Sequence, residues 1–476
     1  MKKPSNKTLI NLSKKTFLEV VILLAALLVA AIVLTYVIPK GAFGTKPDGS
    51  PDYASYTPLE NVSGIPIHKG LLAPVLVFAS GSGLTLIMLS LFLVTVFAAF
   101  QVMSDVGGIR ALVGAVAARF QKRKMLLLAM IALVFMAFGA FLGLFEEMLS
   151  ILPIVTALCL LLGFDSFTGF LVCIIACGFG FASAITNPFT VLLASEIIGA
   201  NPMTHVWYRI VIFAVMYLLL LGFTFLYVKR IKKDPASSLT LAHDEPLRAS
   251  ENAPAQTADP AREARIRTIY VVFLLAWLAL IIVCSAVSAI RDYTVPALIA
   301  YFLIFGLLAG FLASRSVKPV LKSFGKGVVG ALPTIVLIAL ASSIKYVFDE
   351  GAIMPTIVNA INTLVSGHSP FVVALVLYAI ILVLEFFISS STAKAILVMG
   401  MLAAITVPLT RQMQVLIYTF GDGYTNVLFP TSPVLLISLS MIGVDYFKWL
   451  KKSAPLFALN LALVLGFIAL GIAIGY

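Results

Sequence analysis

Long apolar segments alternate with short polar loops along this chain, and two of the apolar segments are interrupted in their middle. The later interruption, the second break, reads Phe-Gly-Asp-Gly-Tyr-Thr-Asn-Val-Leu-Phe-Pro-Thr-Ser over residues 420–432, inside an apolar segment over 412–443. Backbone groups freed by such a break find no water in hydrocarbon, so it must be buried in protein or line a wet cavity. An Asp inside a membrane costs about 2.5–3.5 kcal/mol by insertion scales, which makes Asp422 a candidate functional residue. The alternative is a proline kink with a packed polar patch.

A similar interruption occurs earlier in the chain, which argues against a chance kink. This first break, residues 178–190, reads Gly-Phe-Gly-Phe-Ala-Ser-Ala-Ile-Thr-Asn-Pro-Phe-Thr, and its Pro188 precedes Pro430 by 242 positions. Other marks recur in the same order at offsets of 242–244: Asp105-Val-Gly-Gly-Ile with Asp349-Glu-Gly-Ala-Ile, Glu147 with Ser389, and Gly199 with Gly443. Together these matches predict an internal duplication.

The apolar pattern predicts an all-α polytopic membrane protein, because each long segment suffices to cross about 30 Å of hydrocarbon as a helix. Nine full spans are predicted, at residues 17–38, 85–104, 167–199, 209–228, 268–288, 297–313, 328–347, 412–443 and 454–474. Two further apolar segments are predicted to be re-entrant hairpins: the first hairpin, 125–163, turns at 145–148, and the second hairpin, 369–404, turns at 388–393. Residues 71–80 and 351–365 are too short to span and are predicted to be interfacial.

Basic residues in the short loops predict the orientation of the spans. Five lysines within the first 15 residues place the N-terminus in the cytoplasm, and basic clusters at 119–124, 229–233, 315–326 and 448–452 mark further cytoplasmic loops. The extra crossing at 268–288 then turns the second half upside down relative to the first. Inverted repeats with broken helices that meet at the midplane are typical of secondary transporters.

The predicted organisation has three parts. Residues 1–233 form the first repeat, and residues 268–476 form a connecting helix and the second, inverted repeat. Between them, residues 234–267 are rich in Ala, Ser, Pro and charge and lack an apolar period, which predicts a flexible cytoplasmic linker.

Composition agrees with a membrane protein and excludes several other classes. Hydrophobic residues make up 61% of the 476 and charged residues 11%, and the mean hydropathy is +1.08. The net charge of +12 comes from basic loops and does not indicate a nucleic-acid partner. The four cysteines lie in apolar segments and are expected to be buried free thiols. No phosphate loop, metal-ligand cluster or nucleophile motif occurs, so we expect no ATP-driven transport, no enzymatic activity and no cofactor.

Four polar regions are expected to form one site: the turns of the two hairpins and the two breaks. Helices that begin at such turns direct free N–H groups and the positive end of their dipoles at the site, which suits a substrate carboxylate. Hydroxyl and amide side chains with unwound carbonyls suit a small polar solute or Na⁺, the latter at the breaks near Asn187 and Asn426. The candidate residues are Glu146, Glu147, Ser183, Thr186, Asn187 and Thr190 from the first half, and Ser389, Ser390, Ser391, Thr392, Asp422, Thr425, Asn426, Thr431 and Ser432 from the second.

The charged residues in the hairpins leave alternatives open. Adjacent helical residues diverge by about 100°, so one of Glu146 and Glu147 is expected to face the cavity. It would bind a cationic group, carry a coupled proton, or pair with a lysine elsewhere. Lys394 and Glu385 lie nine residues apart on opposite arms of the second hairpin, where they would pair with each other or contact substrate.

At these residues the chain resembles the YfcC family, which sits with the anaerobic C4-dicarboxylate carriers in the ion transporter superfamily. The resemblance covers nearly the whole chain. It rests on Val-Ile-Pro-Lys-Gly-Ala-Phe at 37–43, Gly-Leu-Phe-Glu-Glu-Met at 143–148, Asn-Pro-Phe-Thr at 187–190, Arg411-Gln412, Gly-Asp-Gly-Tyr-Thr-Asn at 421–426 and Pro-Thr-Ser at 430–432.

One departure from the family pattern bears on the substrate. The family's second hairpin usually turns through Pro-Ser-Gly-Ser-Gly, whereas residues 388–392 read Ile-Ser-Ser-Ser-Thr and lack the glycines. Ser390-Ser391-Thr392 is also similar to the Ser-Asn-Thr turn of the superfamily's divalent-anion carriers. The resemblance implies a homodimer in which a part carrying the hairpins slides as an elevator against a fixed scaffold. It implies basic amino acids as substrates, including arginine–ornithine exchange, or else dicarboxylates and small organic acids.

The sequence thus predicts a secondary active transporter in the bacterial inner membrane for a carboxylate-bearing solute. A basic amino acid, moved by antiport or by coupling to Na⁺ or H⁺, is the leading substrate class, and a C4-dicarboxylate or short organic acid is the alternative. An ion channel is a remote alternative, because four converging polar regions favour alternating access over a continuous pore. An intramembrane enzyme that uses the Glu pair as acid and base lacks a nucleophile or metal partner.

Overall fold

The computed structural model describes residues 14–45, 51–59, 63–81, 83–251, 260–365, 368–388, 390–404 and 407–476. The first half contains α1 (Lys14–Val37), α2 (Ile67–Leu76), α3 (Gly83–Asp105), α4 (Gly108–Phe120), α5 (Lys124–Ala137), α6 (Met148–Leu161), α7 (Ser166–Phe170), α8 (Ala176–Ala182), α9 (Leu193–Ile197) and α10 (Val206–Lys233). Then follow α11 (Leu241–Glu251) and α12 (Pro260–Ala286). The second half contains α13 (Thr294–Ser314), α14 (Val317–Glu350), α15 (Met354–Val365), α16 (Pro370–Phe387), α17 (Ser391–Ala404), α18 (Arg411–Thr425), α19 (Pro433–Met441) and α20 (Tyr446–Ala473).

Shorter elements complete the chain. Turns of π-helix lie at Phe138–Leu142, Leu171–Ile175 and Pro188–Leu192, and 3₁₀ turns lie at Val77–Ala79, Gln121–Arg123, Pro235–Ser237 and Ser288–Tyr293. Strands β1 (Lys40–Thr45) and β2 (Pro51–Leu59) pair antiparallel. All three π turns lie in the first hairpin or next to the first break, and such turns often mark functional sites.

The predicted polytopic all-α fold class is confirmed. Among the described residues, eight helices are long and apolar enough to cross a membrane, and further apolar helices are shorter. The four cysteines are buried and unpaired, as predicted. Much of the helix surface is apolar and exposed, for example Leu218 and Leu226 on α10 and Val272 and Leu275 on α12, which suits contact with lipid.

Both broken helices occur where the sequence predicts them. In the first half, α8 ends at Ala182 and a helix restarts at Pro188; in the second, α18 ends at Thr425 and α19 starts at Pro433. Proline has no N–H to donate, so it fits the first turn of each restarted helix. Gly199 and Gly443 end the two broken segments with φ of +64° and +68°, a conformation that favours glycine. The shared pattern supports the predicted duplication.

One group of helices, here called the scaffold group, is α1, α3, α13 and α14. Helix α14 packs against α3 at the centre, with α1 against α14 and α13 against α3 in a mirrored arrangement. A methyl group added to Gly327 would lie 2.4 Å from Ala98 Cα, and one added to Gly306 would lie 2.5 Å from Ala99 Cβ. Small residues thus let these helices approach closely, as in membrane helix packing generally.

A second group, here called the hairpin group, contains both hairpins, both broken helices, α10 and α20. The same contacts occur in each half: α5 packs against α8 as α16 packs against α18. Across the halves, α6 packs against α19 as α17 packs against α9, and α8 packs against α18. Each of these contacts in one half of the chain thus has a counterpart in the other half.

The predicted flexible linker differs from the structure over residues 235–251. A 3₁₀ turn and α11 occupy this stretch, while residues 252–259 lie outside the described part of the chain. The Asp244 carboxylate of α11 is buried and accepts bonds from Ser166 N (2.9 Å), Ser166 Oγ (2.5 Å) and Thr240 Oγ1 (2.6 Å). Burial raises the pKa of Asp244, and these hydrogen bonds counteract it. A polar tertiary contact therefore holds α11 against the start of α7.

The polar stretch between α1 and α2 also contains regular structure. Its two strands pair from Lys40 with Leu59 to Thr45 with Pro51, with a register shift between Phe43 and Gly44. The Tyr56 hydroxyl lies 2.9 Å from the Thr356 hydroxyl, which joins β2 to α15. The loop thus covers the end of the second repeat's short amphipathic helix.

Candidate functional site

The turn of the first hairpin is shaped by contact with the first break. The π turn before it ends at Gly143, which has φ of +69°. A methyl group on Gly143 would lie 2.6 Å from Asn187 Oδ1 and 2.6 Å from the Phe189 ring. Glycine is therefore required twice at this position, for its backbone conformation and for space.

Asn187 holds the first break against the first hairpin. Its Nδ2 donates to Gly139 O (3.1 Å), and its Oδ1 accepts from Phe189 N (2.9 Å) and Thr190 N (3.3 Å). The backbone N–H of Thr186 also donates to Ala140 O at 3.2 Å. Asn187 is fully buried and uses both ends of its amide, so it caps the restarted helix and positions the break.

The two adjacent carboxylates of the first hairpin have different surroundings. Glu146 is exposed, whereas Glu147 is half-buried and accepts a hydrogen bond from Phe145 N at 3.2 Å through Oε2. Within the described part of the chain, no ion pair joins either glutamate to a basic side chain. The alternative in which one of them pairs with a lysine elsewhere therefore finds no support in this structure.

The hydroxyl residues of the first break divide into engaged and unengaged groups. Ser183 is buried and donates to Phe179 O at 2.6 Å, within its own helix. Thr190 is fully buried, and its Oγ1 has no hydrogen-bond partner among the residues that the structure describes. A buried hydroxyl without a partner is costly, and a native protein keeps one where something else satisfies it. Thr190 thus presents a free polar atom at the first break.

In the second half, the hairpin is bonded to the broken helix directly. Ser391 Oγ donates to Asp422 Oδ2 at 2.8 Å, and the Tyr418 hydroxyl donates to Ser391 O at 2.5 Å. Both Asp422 and Tyr418 are fully buried on α18. These bonds fix the first turn of α17, which carries the candidate hydroxyls, against the helix that ends at the second break.

Lys394 lies in the same cluster and was absent from the predicted site. Its ammonium contacts Glu385 Oε2, forms an ion pair with Asp422 Oδ1 (2.7 Å) and donates to Ile388 O (3.1 Å). The expected pairing of Lys394 with Glu385 across the hairpin is confirmed. The contact with Asp422 was not foreseen. The available signal was the presence of opposite charges inside two otherwise apolar arms.

The remaining predicted residues of the second half lie around this cluster or further along the break. Thr425 Oγ1 donates to Gly421 O at 2.8 Å, and Asn426 Nδ2 donates to Asp422 O at 2.9 Å, so both extend the end of α18. Ser390 and Thr392 are exposed at the hairpin turn, while Ser389 lies outside the described residues. Thr431 and Ser432 are buried, and the latter caps α19 by accepting from Leu435 N.

The two breaks contact each other across the repeat boundary. A methyl group on Gly423 would lie 2.1 Å from Ala182 Cα, and one on Gly178 would lie 2.2 Å from Val427 Cγ1 and 3.3 Å from the Phe145 ring. The rings of Phe179 and Tyr424 meet edge to face at 5.2 Å. The broken helices and the turn of the first hairpin are therefore packed together. Helix α17 also lies against the helix that restarts after the first break.

A cavity of about 440 Å³ lies between the two groups of helices. Its walls come from α3, α4, α6, α11 and the end of α19, with Asp105, Arg110, Thr156, Ser166 and His243 among its polar lining residues. None of the predicted site residues lines it. The cavity lies on the α11 side of the molecule, which is predicted to be cytoplasmic.

A family of carriers and several known proteins are similar to this chain. A family model for C4-dicarboxylate anaerobic carriers (DcuC) matches residues 17–474. The YfcC protein of Escherichia coli K12, provisionally named a basic amino acid antiporter, is 28% identical over 388 residues, which is 79% of this chain and 75% of that protein. A protein of Haemophilus influenzae is 26% identical over 326 residues, covering 67% of this chain and 62% of its own length.

Two solved structures resemble this one more weakly. The MtrF structure from Neisseria gonorrhoeae, described with a class of antimetabolite efflux pumps, has a TM-score of 0.42 at 14% identity, over 94% of both chains. The YdaH transporter of Alcanivorax borkumensis has a TM-score of 0.43 at 14% identity, over 97% of this chain and 98% of its own. These scores are too low to establish a shared fold.

Proposed function

Because this chain belongs to the C4-dicarboxylate anaerobic carrier (DcuC) family, a family of transporters, we propose that it is a secondary active transporter for a small solute bearing a carboxylate. The observation that carries the proposal is the direct packing of two broken helices from mirrored repeats. Gly423 lies against Ala182, and a hairpin is bonded to each break through Asn187 or Ser391. Polar backbone at such breaks is tolerated in a membrane only inside protein or beside a wet cavity.

The central site is proposed to bind the solute between the hairpin turns and the breaks. The N-terminus of α17 is proposed to offer N–H groups to a carboxylate, and the unengaged Thr190 hydroxyl lies at the first break. At the start of α6, the N–H groups of Met148, Leu149 and Ser150 already donate to the carbonyls of residues 145–147. The other candidates for contact are those named from the sequence, in particular Thr186, Ser390 and Thr392, which are not fully buried. Asn187 and Ser391 position the breaks.

A basic amino acid is the favoured substrate. The exposed Glu146 carboxylate, with Glu147 beside it, is available for a cationic group because no described lysine or arginine neutralises it. The provisional name of the E. coli relative, a basic amino acid antiporter, points the same way. A C4-dicarboxylate is the second candidate, since the matching family is described by that substrate.

The proposed mechanism is an elevator, in which the hairpin group slides against the scaffold group. Support comes from the division of the helices into two mirrored groups and from the cavity between α4 and α6, which is placed as a vestibule to one side. We also propose that the protein is a homodimer in the inner membrane with a cytoplasmic N-terminus. Either Na⁺ at the breaks or H⁺ on a carboxylate would couple transport to a gradient.

Uptake into proteoliposomes tests the function and the substrate together. Labelled arginine, ornithine and succinate are offered to vesicles preloaded with the same unlabelled solute, using the parent protein, Glu146→Gln and Glu147→Gln. We expect arginine and ornithine exchange in the parent and a large loss in each variant. Glu196→Gln, an exposed glutamate on α9, is the matched control and should transport normally.

Each alternative has a distinct outcome in this assay. Succinate exchange without arginine flux would establish the dicarboxylate carrier and overturn the amino-acid assignment. Unchanged arginine exchange in Glu147→Gln would remove Glu147 from the mechanism. Single-channel currents in a planar bilayer would overturn alternating access.

A further inference from the structure

Three ionisable side chains from three helices of the second repeat meet in a fully enclosed cluster. Lys394 of α17 and Asp422 of α18 have 0% of their side-chain surface exposed, and Glu385 of α16 has 3%. The Lys394 ammonium contacts both carboxylates and also donates to Ile388 O. An ammonium has three N–H donors, so these three acceptors use all of them. We call these three side chains the Lys394 cluster.

The charges of the Lys394 cluster do not balance. One ammonium and two carboxylates leave one net negative charge when all three groups are ionised. An uncompensated buried charge costs several kcal/mol even after the protein relaxes, and an isolated carboxylate then takes up a proton instead. The cluster therefore needs one further positive charge.

The other titratable groups around the cluster do not supply that charge. The Tyr418 hydroxyl lies 3.5 Å from Asp422 Oδ1 and is neutral. Among the described residues, no basic side chain other than Lys394 forms an ion pair with Glu385 or Asp422. On neighbouring elements, Lys345 pairs with Asp349, Arg411 donates to Gly199 O, and Lys452 lies over the Tyr227 ring. The remaining titratable groups on the packed elements include Asp52, Glu196, Tyr378, Tyr424, Tyr446, Lys448 and Lys451.

A proton fits the cluster better than a metal cation does. Sodium or calcium needs a shell of several oxygen ligands around one centre, and the Lys394 ammonium already occupies the centre between the two carboxylates. A proton needs only one carboxylate oxygen. Of the two carboxylates, Asp422 accepts from Ser391 Oγ at 2.8 Å in addition to Lys394, which stabilises its ionised form. Glu385 has Lys394 as its charged partner, and among the described residues its Oε2 accepts no hydrogen bond from a second donor.

We propose that the Lys394 cluster binds one exchangeable proton on the Glu385 carboxyl, and that this proton is the coupling ion of the second repeat. The inference rests on the proposed transport function. In this arrangement Lys394 is a built-in cation at the place beside the second break where a free Na⁺ would otherwise lie. The proton enters from one compartment, converts the Glu385 carboxylate to the acid, and leaves to the other compartment after the hairpin group has moved.

The cluster also connects proton binding to the substrate site. The same Asp422 that pairs with Lys394 holds Ser391, next to the hydroxyls of the hairpin turn. When Glu385 is ionised, it competes with Asp422 for the ammonium and weakens the attachment of α17 to α18. Loss of the proton would therefore loosen the second hairpin, and binding of the proton would hold the hairpin against α18.

Infrared difference spectroscopy tests the proton site without any substrate. Purified protein in lipid is compared between mildly acidic and mildly alkaline buffer, and the C=O stretching band of a buried carboxylic acid is followed. We expect the parent to show this band and Glu385→Gln to lose it. Asp422→Asn should lose it as well, because the remaining Glu385 and Lys394 then balance as an ion pair. Asp349→Asn, which alters an exposed carboxylate, is the matched control and should keep the band.

A transport measurement then tests the coupling. Labelled arginine uptake into proteoliposomes is measured with and without an inward proton gradient, and with Na⁺ replaced by choline. We expect stimulation by the proton gradient without any need for Na⁺, and complete loss of that stimulation in Glu385→Gln. If the parent shows no arginine uptake, the proposed function fails for this substrate while the spectroscopic result still decides the proton site. An unchanged carboxylic-acid band in Glu385→Gln, or strict Na⁺ dependence of the parent, would overturn the inference.

Discussion

The contact between Gly423 and Ala182 makes a sharp prediction about how the two repeats join. A methyl group on Gly423 would lie 2.1 Å from Ala182 Cα, 2.4 Å from Ala182 Cβ and 2.4 Å from Ala182 N. Ordinary contact begins at 3.4 Å, so the shortest of these distances falls short by about 1.3 Å. Two of the three atoms belong to the backbone of α8, which cannot rotate away as a side chain would. Gly423→Ala should therefore push α18 away from α8.

The expected cost follows from overpacking of a tight interior. Extra methyl groups in well-packed cores typically cost about 1–3 kcal/mol, and this contact between two backbones belongs at the upper end. The control is Gly222→Ala on α10, where the added methyl meets nothing within 4 Å. In a helix interior that substitution should stabilise by about 0.5–1 kcal/mol, because alanine loses less conformational freedom on folding than glycine does.

The assay compares thermal unfolding of the purified parent and both variants in the same detergent, followed by exchange of labelled arginine in proteoliposomes. Gly423→Ala should melt earlier than the parent and lose exchange, since the breaks are no longer held together. Gly222→Ala should melt at or above the parent and exchange normally. If Gly423→Ala were as stable and as active as Gly222→Ala, the close approach of the two broken helices would be refuted.

Three further substitutions test individual side chains. Lys394→Met should destabilise the protein by about 3–5 kcal/mol, because it leaves two buried carboxylates without a cation. Lys345→Met, at an exposed ion pair, should change the unfolding midpoint little. Equal midpoints for the two variants would contradict the burial of the Lys394 cluster. Asn187→Ala should lower the free energy of unfolding by about 1–2 kcal/mol, because a helix cap is lost. The control, Asn201→Ala at an exposed position, should have a small effect in the same melting assay. An unchanged melting midpoint for Asn187→Ala would show that the cap does not hold the first break. Thr190→Val should leave the stability unchanged or improved, because the hydroxyl of Thr190 has no hydrogen-bond partner among the described residues. The same variant should lower substrate exchange. Normal exchange would remove Thr190 from the site.

The apolar helices and both breaks could be predicted from the sequence because lipid imposes local rules. A spanning helix needs a fixed length of apolar residues, and the backbone in hydrocarbon must satisfy its own hydrogen bonds. A proline and glycines inside such a segment therefore show where the helix stops, as at Pro188 and Pro430. The recurrence of these marks at offsets of 242–244 predicts that two such units exist. None of this requires knowledge of distant contacts.

The polar contacts of the candidate site required the tertiary structure. The sequence suggested that Lys394 would pair with Glu385, because both lie in one hairpin, but Asp422 is 28 positions further along and nothing local predicts its approach. Likewise Asn187 was expected to face a solute or an ion, and the structure instead uses both ends of its amide to join the break to Gly139 and to the restarted helix.

The short helix α11 shows the same limit outside the predicted spans. Its sequence is polar and lacks an apolar period, yet Asp244 binds Ser166, which lies 78 positions earlier in the chain. By itself, the sequence determined which segments are helical in lipid, where two of them break and how often the pattern repeats. Only the tertiary structure decided which polar groups meet, because hydrophobic period and helix termination act within a few residues, whereas hydrogen bonds and ion pairs depend on how separate helices pack.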